Sequence, residues 1–279
     1  MLINIYMLYV TSFNEQIFKL SGLRLLDTYL SFIQNSVLLV CYEDKDNTGY
    51  LDAIINRVNG ALIFYKLSDD VYLNNWLNEN KDLIPTEYGG ECTQDLDQWN
   101  IKASLWFRKI ASLNYVHKNY SDNTDYIIWI DADCFFMRDL PSTYVISQFN
   151  DTYCFYHLGK WRYENNQKSI ESGFMGFKKG DGYILLKEII DEFSDKKFIK
   201  YSRWDDGHVM GQIITSSNIK SVDLVGCAPR RTTWDVIDKG PFKTFVVHNK
   251  GCHHSKKKEN IYKIIDFDIM YANVLDKLR

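Results

Sequence analysis

Two carboxylates close a strongly apolar stretch: Tyr126-Ile127-Ile128-Trp129-Ile130 runs directly into Asp131-Ala132-Asp133. A buried strand ending in acids spaced i, i+2 puts charge at a carboxyl end, which is where open α/β sheets bind ligands. These acids lie between Ile130 and Cys134-Phe135-Phe136. Charges embedded in such surroundings cost several kcal/mol unless they are paired or coordinated. Mg2+ and Mn2+ take oxygen ligands and commonly bind one or two carboxylates together with substrate phosphates. The same ion acts as a Lewis acid toward a diphosphate leaving group. An ordinary strand-end turn carries the same pair, so the chemistry has to be argued together with other residues.

Three later segments carry similar chemistry. Ser169 to Phe177 reads SIESGFMGF, Arg203 to Met210 reads RWDDGHVM, and Val246 to Cys252 reads VVHNKGC, followed by Lys256-Lys257-Lys258. With YIIWIDADCFFMRDLP, they resemble, in order, elements of the nucleotide-sugar glycosyltransferases of the GT-A fold. In that family a strand delivers Asp-x-Asp to a divalent metal bound to the donor diphosphate. The MRDLP continuation is similar to that of glycogenin-like and bacterial galactosyltransferase-like members. The specific part of the resemblance covers roughly residues 126–258. The first half matches at fold level, through Thr11-Ser12-Phe13-Asn14 at a strand end.

The resemblance implies roles. Asp133 binds Mn2+ or Mg2+, Asp131 binds the metal or the ribose, and His248 completes the metal site, for which neutral imidazole is a suitable ligand. A satisfied core or surface histidine is the alternative. A lysine contacts the diphosphate, as a charge-assisted donor would. Lys256 fits by spacing, with Lys250 and Lys257 as alternatives beside Gly251, although a lysine run also reads as a solvated face. Thr11, Ser12, Phe13 and Asn14 hold the nucleoside. Glu171, with Ser172 and Gly173, offers a carboxylate for sugar hydroxyls, or a turn entering a strand. Of Asp205 and Asp206, one can cap a helix. The other can hold donor hydroxyls or serve as general base, and Asp206 is the stronger candidate. Arg108 and Lys109 could reach the diphosphate or the donor sugar, or lie on an exposed amphipathic face.

The elements that must position these residues alternate between strand and helix. Apolar strands are expected at Ile3–Val10, Ser36–Tyr42, Ala61–Tyr65 and Tyr126–Ile130, and shorter ones at 153–157, 174–177, 222–225 and 245–248. Helices are expected from Asn14 to about Phe32, at 98–116, 181–194, 205–216 and 260–278. Residues 66–96 read as a polar, irregular insertion. Such alternation predicts an α/β fold with a mixed, mostly parallel central sheet flanked by helices. No linker or repeat is visible, so one GT-A-like catalytic domain is expected over 1–279. Within it, 1–133 form the nucleotide-binding half and 134–279 the acceptor-binding half with a C-terminal helix.

Composition bounds the function. The chain has 279 residues, 46% hydrophobic, with 33 Lys+Arg against 36 Asp+Glu and a net charge of −3. That describes a globular chain with a large core, and the near-neutral balance argues against nucleic acid as partner. Aromatics are abundant and proline is scarce, which fits an AT-rich coding sequence or rings that stack on sugars. The six cysteines form no Cys-x-x-Cys pair, so reduced thiols and a cytoplasmic location (host cytoplasm for a viral source) are expected. The apolar start lacks a basic region and a cleavage site, and no stretch approaches the length of a membrane span.

The expected function is transfer of a sugar from a nucleotide sugar, UDP-linked or alternatively GDP-linked, to a glycan or other hydroxyl acceptor. The late histidine element resembles retaining, hexosyltransferase-like members. Competing readings are a degenerate glycan- or nucleotide-binding module and a sugar nucleotidyltransferase, which would want a basic, glycine-rich loop after the first strand. A haloacid-dehalogenase-type phosphatase would need Thr or Val where Phe135 stands, and its motif near the N-terminus.

Overall fold

Strand β1 (Ile5–Asn14) is apolar on both faces, as a central strand covered on two sides must be. Met7 and Tyr9 pack with Leu25, Leu26 and Tyr29 of helix α1 (Leu23–Phe32). Leu8 and Val10 pack on the other face with Phe107, Ile110 and Leu113 of a long helix (Ala103–Tyr120). The computed structural model describes residues 5–43, 49–57, 60–84, 100, 102–158, 168–226, 237–249 and 266–278.

The other strands are β2 (Val37–Glu43), β3 (Leu62–Lys66), β4 (Thr124–Ile130), β5 (Cys134–Phe136), β6 (Cys154–His157), β7 (Glu171–Lys178), β8 (Ser221–Asp223) and β9 (Val246–His248). Seven of them form one sheet in the order β3-β2-β1-β4-β7-β6-β8, while β5 and β9 pair separately. Within the sheet β7 alone runs antiparallel to its neighbours, β4 and β6. The further helices are α2 (Tyr50–Ile55), α3 (Val71–Asn80), α4 (Ala103–Tyr120), α5 (Ser142–Ser147), α6 (Asp181–Phe193), α7 (Asp206–Ser216) and α8 (Phe267–Lys277). Helices α4 and α6 share one apolar cluster with the sheet, and α1 and α8 share the other. The result is a single α/β domain with a mostly parallel sheet between helical layers, in which the β4–β7 pairing joins the two halves of the sequence. No helix among the described residues is long and apolar enough to cross a membrane.

Several boundaries differ from expectation. Parallel pairing of β1 with β2 persists to Asn14↔Glu43, so Thr11–Asn14 lie inside the strand rather than beyond it. The helical run after Asn14 is interrupted by a π-turn, Phe18–Gly22, where a Cβ at Gly22 would lie 3.1 Å from the Phe13 ring. The supposed insertion contains α3, capped by Asp70 and burying Leu73 and Trp76. Its asparagine-rich outer face hides that stripe in the sequence. Trp76 stacks on Phe107 at 3.9 Å, a contact worth about 0.5–1.5 kcal/mol beyond its area. The helix expected over 98–116 runs from Ala103 to Tyr120. Strand β5 and helices α2 and α5, three and six residues long, are too short to show a period in the sequence.

Candidate functional site

The Asp-x-Asp segment is a tight turn held at both ends. Asp131 N–H donates to the Gly173 carbonyl at 2.8 Å, extending the β4–β7 ladder by one residue. Asn249 N–H donates to the Asp133 carbonyl at 2.9 Å, extending β5–β9. Each acid is therefore tied to a different sheet.

Asp131 belongs to a cluster centred on Lys109, which is only 6% exposed. The Lys109 ammonium lies 2.8 Å from Asp131 Oδ1 and also pairs with Asp206. It donates to Ser172 Oγ at 3.0 Å and to the Ser172 carbonyl at 3.1 Å. Ser172 Oγ donates to Asp206 Oδ2 at 2.7 Å, and Trp129 Nε1 donates to Asp131 Oδ1 at 2.6 Å. Burial pulls the ammonium's pKa down, but Asp131 and Asp206 together raise it above its ordinary value. Burial pushes the Asp206 carboxyl up, yet Lys109, the Ser172 hydroxyl and the Gly207 N–H outweigh it and hold it low. Asp131 keeps a net upward shift, from burial and from the charges of Asp133 and Asp206.

Asp133 faces His248, whose Nε2 is 3.2 Å from Asp133 Oδ1. Pairing of Cys134 with His248 across β5 and β9 sets that approach. The other ring nitrogen, Nδ1, is 3.6 Å from Glu171 Oε1. Gly173 lies against the ring, and a Cβ there would stand 2.7 Å from His248 Cε1. Burial pushes the Asp133 carboxyl up, but the hydrogen bond and charge of His248 prevail and the net direction is down.

Asp205 and Asp206 separate into two jobs. Asp205 is the helix cap: its Oδ1 accepts from His208 N–H at 3.1 Å, and its Oδ2 accepts from Arg203 Nε at 2.9 Å. Its carboxyl is pushed up by burial and by Asp206. Asp206 faces Lys109. Arg108, one residue from Lys109, turns instead to Glu43 at the end of β2 and donates to the Ser104 carbonyl at 2.6 Å.

Among the nucleoside candidates, Thr11 is fully buried and Phe13 packs against Phe18. The Asn14 side chain accepts from Ile17 N–H at 2.9 Å. Gly251, Lys250 and Lys256 lie outside the described residues, as do Lys257 and the cysteines 92, 227 and 252. Cys41, Cys134 and Cys154 are free and buried. Sequence reasoning missed Trp129, although its i, i+2 spacing puts it on the same strand face as Asp131. It also missed Glu43, which was visible as an acid ending an apolar strand.

Asp133, Cys134 and His248 form a group whose ligand atoms all lie within 4.8 Å of one another. Their carboxylate, thiol and imidazole groups are donors of the kind that hold a divalent metal ion. Among the described residues, the carboxylates of Asp131, Asp133, Glu171, Asp205 and Asp206 gather here, with Lys109 and Arg203 paired to three of them.

No protein-family model matches the chain, and no curated protein matches it in sequence. Among solved structures the chain is similar to mouse xyloside xylosyltransferase 1 in its apo form. The match has 13% identity, covers 78% of this chain and 84% of that chain, and has a TM-score of 0.47.

Proposed function

We propose that the chain is a metal-dependent, GT-A-like glycosyltransferase that moves a sugar from a nucleotide sugar to a hydroxyl acceptor. The observation that carries the reading is the approach of His248 to Asp133 at the end of β4, 3.2 Å apart. In this reading Asp133 and His248 hold Mn2+ or Mg2+, and Asp131 adjoins the metal or the ribose. The bound metal supplies electrostatic stabilisation of the departing nucleoside diphosphate. Lys109 keeps Asp131 and Asp206 in one geometry, leaving Asp206 beside Ser172 to receive donor hydroxyls. The end of β1 forms the nucleoside wall, with a UDP-sugar as the favoured donor and a lysine from 250–256 on the diphosphate. Retention of anomeric configuration is the favoured outcome.

The test is thermal stability with UDP, GDP and dTDP, each with and without Mn2+. A metal-dependent rise with one nucleotide is expected. If no nucleotide stabilises the protein in a metal-dependent way, the transferase reading fails. A donor panel then names the sugar, and NMR of the first-formed product anomer decides retention.

A further inference from the structure

We propose that Glu171 is a positioning residue, whose carboxylate holds the Nδ1 edge of His248 so that Nε2 is presented beside Asp133 to a divalent cation. The inference rests on the metal-dependent reading above, and it moves Glu171 from the sugar hydroxyls to the back of a ligand.

Glu171 is 2% exposed and His248 6% exposed. The imidazole lies against this buried carboxylate, Nδ1 to Oε1 at 3.6 Å. Nε2 faces Asp133 Oδ1 at 3.2 Å, so the two ring nitrogens point at two different acids. An imidazole that gives its Nε2 lone pair to a cation must carry its proton on Nδ1. Glu171 is the acceptor that proton would meet. The 3.6 Å separation is longer than a hydrogen bond, and contacts of this kind commonly tighten when the site is filled.

Strand β7 supplies more than the acceptor. Glu171 and Gly173 are two residues apart, hence on one face of the strand. The missing Cβ of Gly173 leaves the space the ring occupies: one there would stand 3.0 Å from Nδ1 and 3.1 Å from Nε2. The backbone of His248 is set from the opposite side, by pairing with Cys134. Position thus comes from the small sheet and ring orientation from the large one. Carboxylates behind ligating histidines fix the tautomer and raise ligand basicity, and their loss typically weakens metal binding 10–100-fold.

The experiment measures Mn2+ affinity by electron paramagnetic resonance on the full chain. Wild type is compared with Glu171→Gln, which keeps an acceptor at the same place, and Glu171→Met, which keeps volume without one. The 14N modulation of a coordinated imidazole is recorded on each Mn2+ complex, and circular dichroism checks folding. Wild type is expected to bind Mn2+ with that modulation. Glu171→Met should bind about 10–100-fold more weakly, with the modulation diminished, and Glu171→Gln should restore most of both. If Glu171→Met folds, binds as wild type does and keeps the modulation, the proposal falls while the metal reading stands. It falls equally if Glu171→Gln is as impaired as Glu171→Met. Should Glu171→Met not fold, Glu171→Asp, one methylene too short, takes its place with the same expectations. A wild-type protein that binds no Mn2+ overturns both the proposal and the reading beneath it.

Discussion

Asp131 and Asp133 are two residues apart, yet they belong to electrostatically different regions. On the Asp131 side the chain provides its own cation: Lys109 bridges Asp131 and Asp206, with the Ser172 hydroxyl donating to Asp206 and Trp129 Nε1 to Asp131. On the Asp133 side it provides an imidazole, with Glu171 on the ring's far edge. The first region is matched by a lysine, whereas the second has an imidazole in that place. Adjacent acids in one turn thus sit in different electrostatic surroundings.

The largest effect should come from removing the lysine. Lys109→Met leaves Asp131 and Asp206 without their cation. Breaking a buried pair in this way costs about 3–5 kcal/mol, to be read as a lowered midpoint in urea unfolding at neutral pH. A loss below about 1 kcal/mol would mean that water, not Lys109, balances the cluster.

Asp133→Asn should behave differently. In EDTA its stability should stay within about 1 kcal/mol of wild type, as for a partly exposed pair. Its metal-dependent stabilisation by nucleotide should disappear. Thermal melts with EDTA, with Mn2+, and with Mn2+ plus nucleotide separate these outcomes. A variant that keeps the metal-dependent increment removes Asp133 from the metal site.

The smallest effect is a pH dependence. Asp206 is held below the ordinary carboxyl value of 3.8. Its contribution to stability is complete above that value and is lost as pH falls through the lower folded-state value. In Asp206→Asn, stability should therefore fall less steeply with acid below pH 3.8 than in wild type. Equal slopes in urea titrations across that range would show that Asp206 is not the group held down.

How much of this was legible depended on the range of the interaction. The buried strands were readable because unbroken apolar, β-branched runs report burial on both faces, and Asp131 and Asp133 stood out against them. Asp206 was preferred to Asp205 from motif likeness, and the structure shows Asp205 occupied as the cap. Lys109 was indistinguishable from Arg108, since neighbours on a helix point about 100° apart. Which of them turns inward depends on how Phe107, Ile110 and Leu113 seat α4 against the sheet. Helix α3 was lost in polar residues for the same reason: its buried stripe has meaning only once Phe107 and Phe193 are there to receive Trp76.

Short-range pattern was enough to establish an α/β chain, buried strands, acids at a strand's carboxyl end and a histidine closing a late strand. Those properties follow from periodicity among near neighbours. Tertiary structure alone decided that Asp131 is matched by a lysine, Asp133 by a histidine, and that histidine by Glu171. Compensation of a buried charge depends on distance in space. Here the β4–β7 and β5–β9 pairings and the seating of α4 set those distances between segments far apart in the chain.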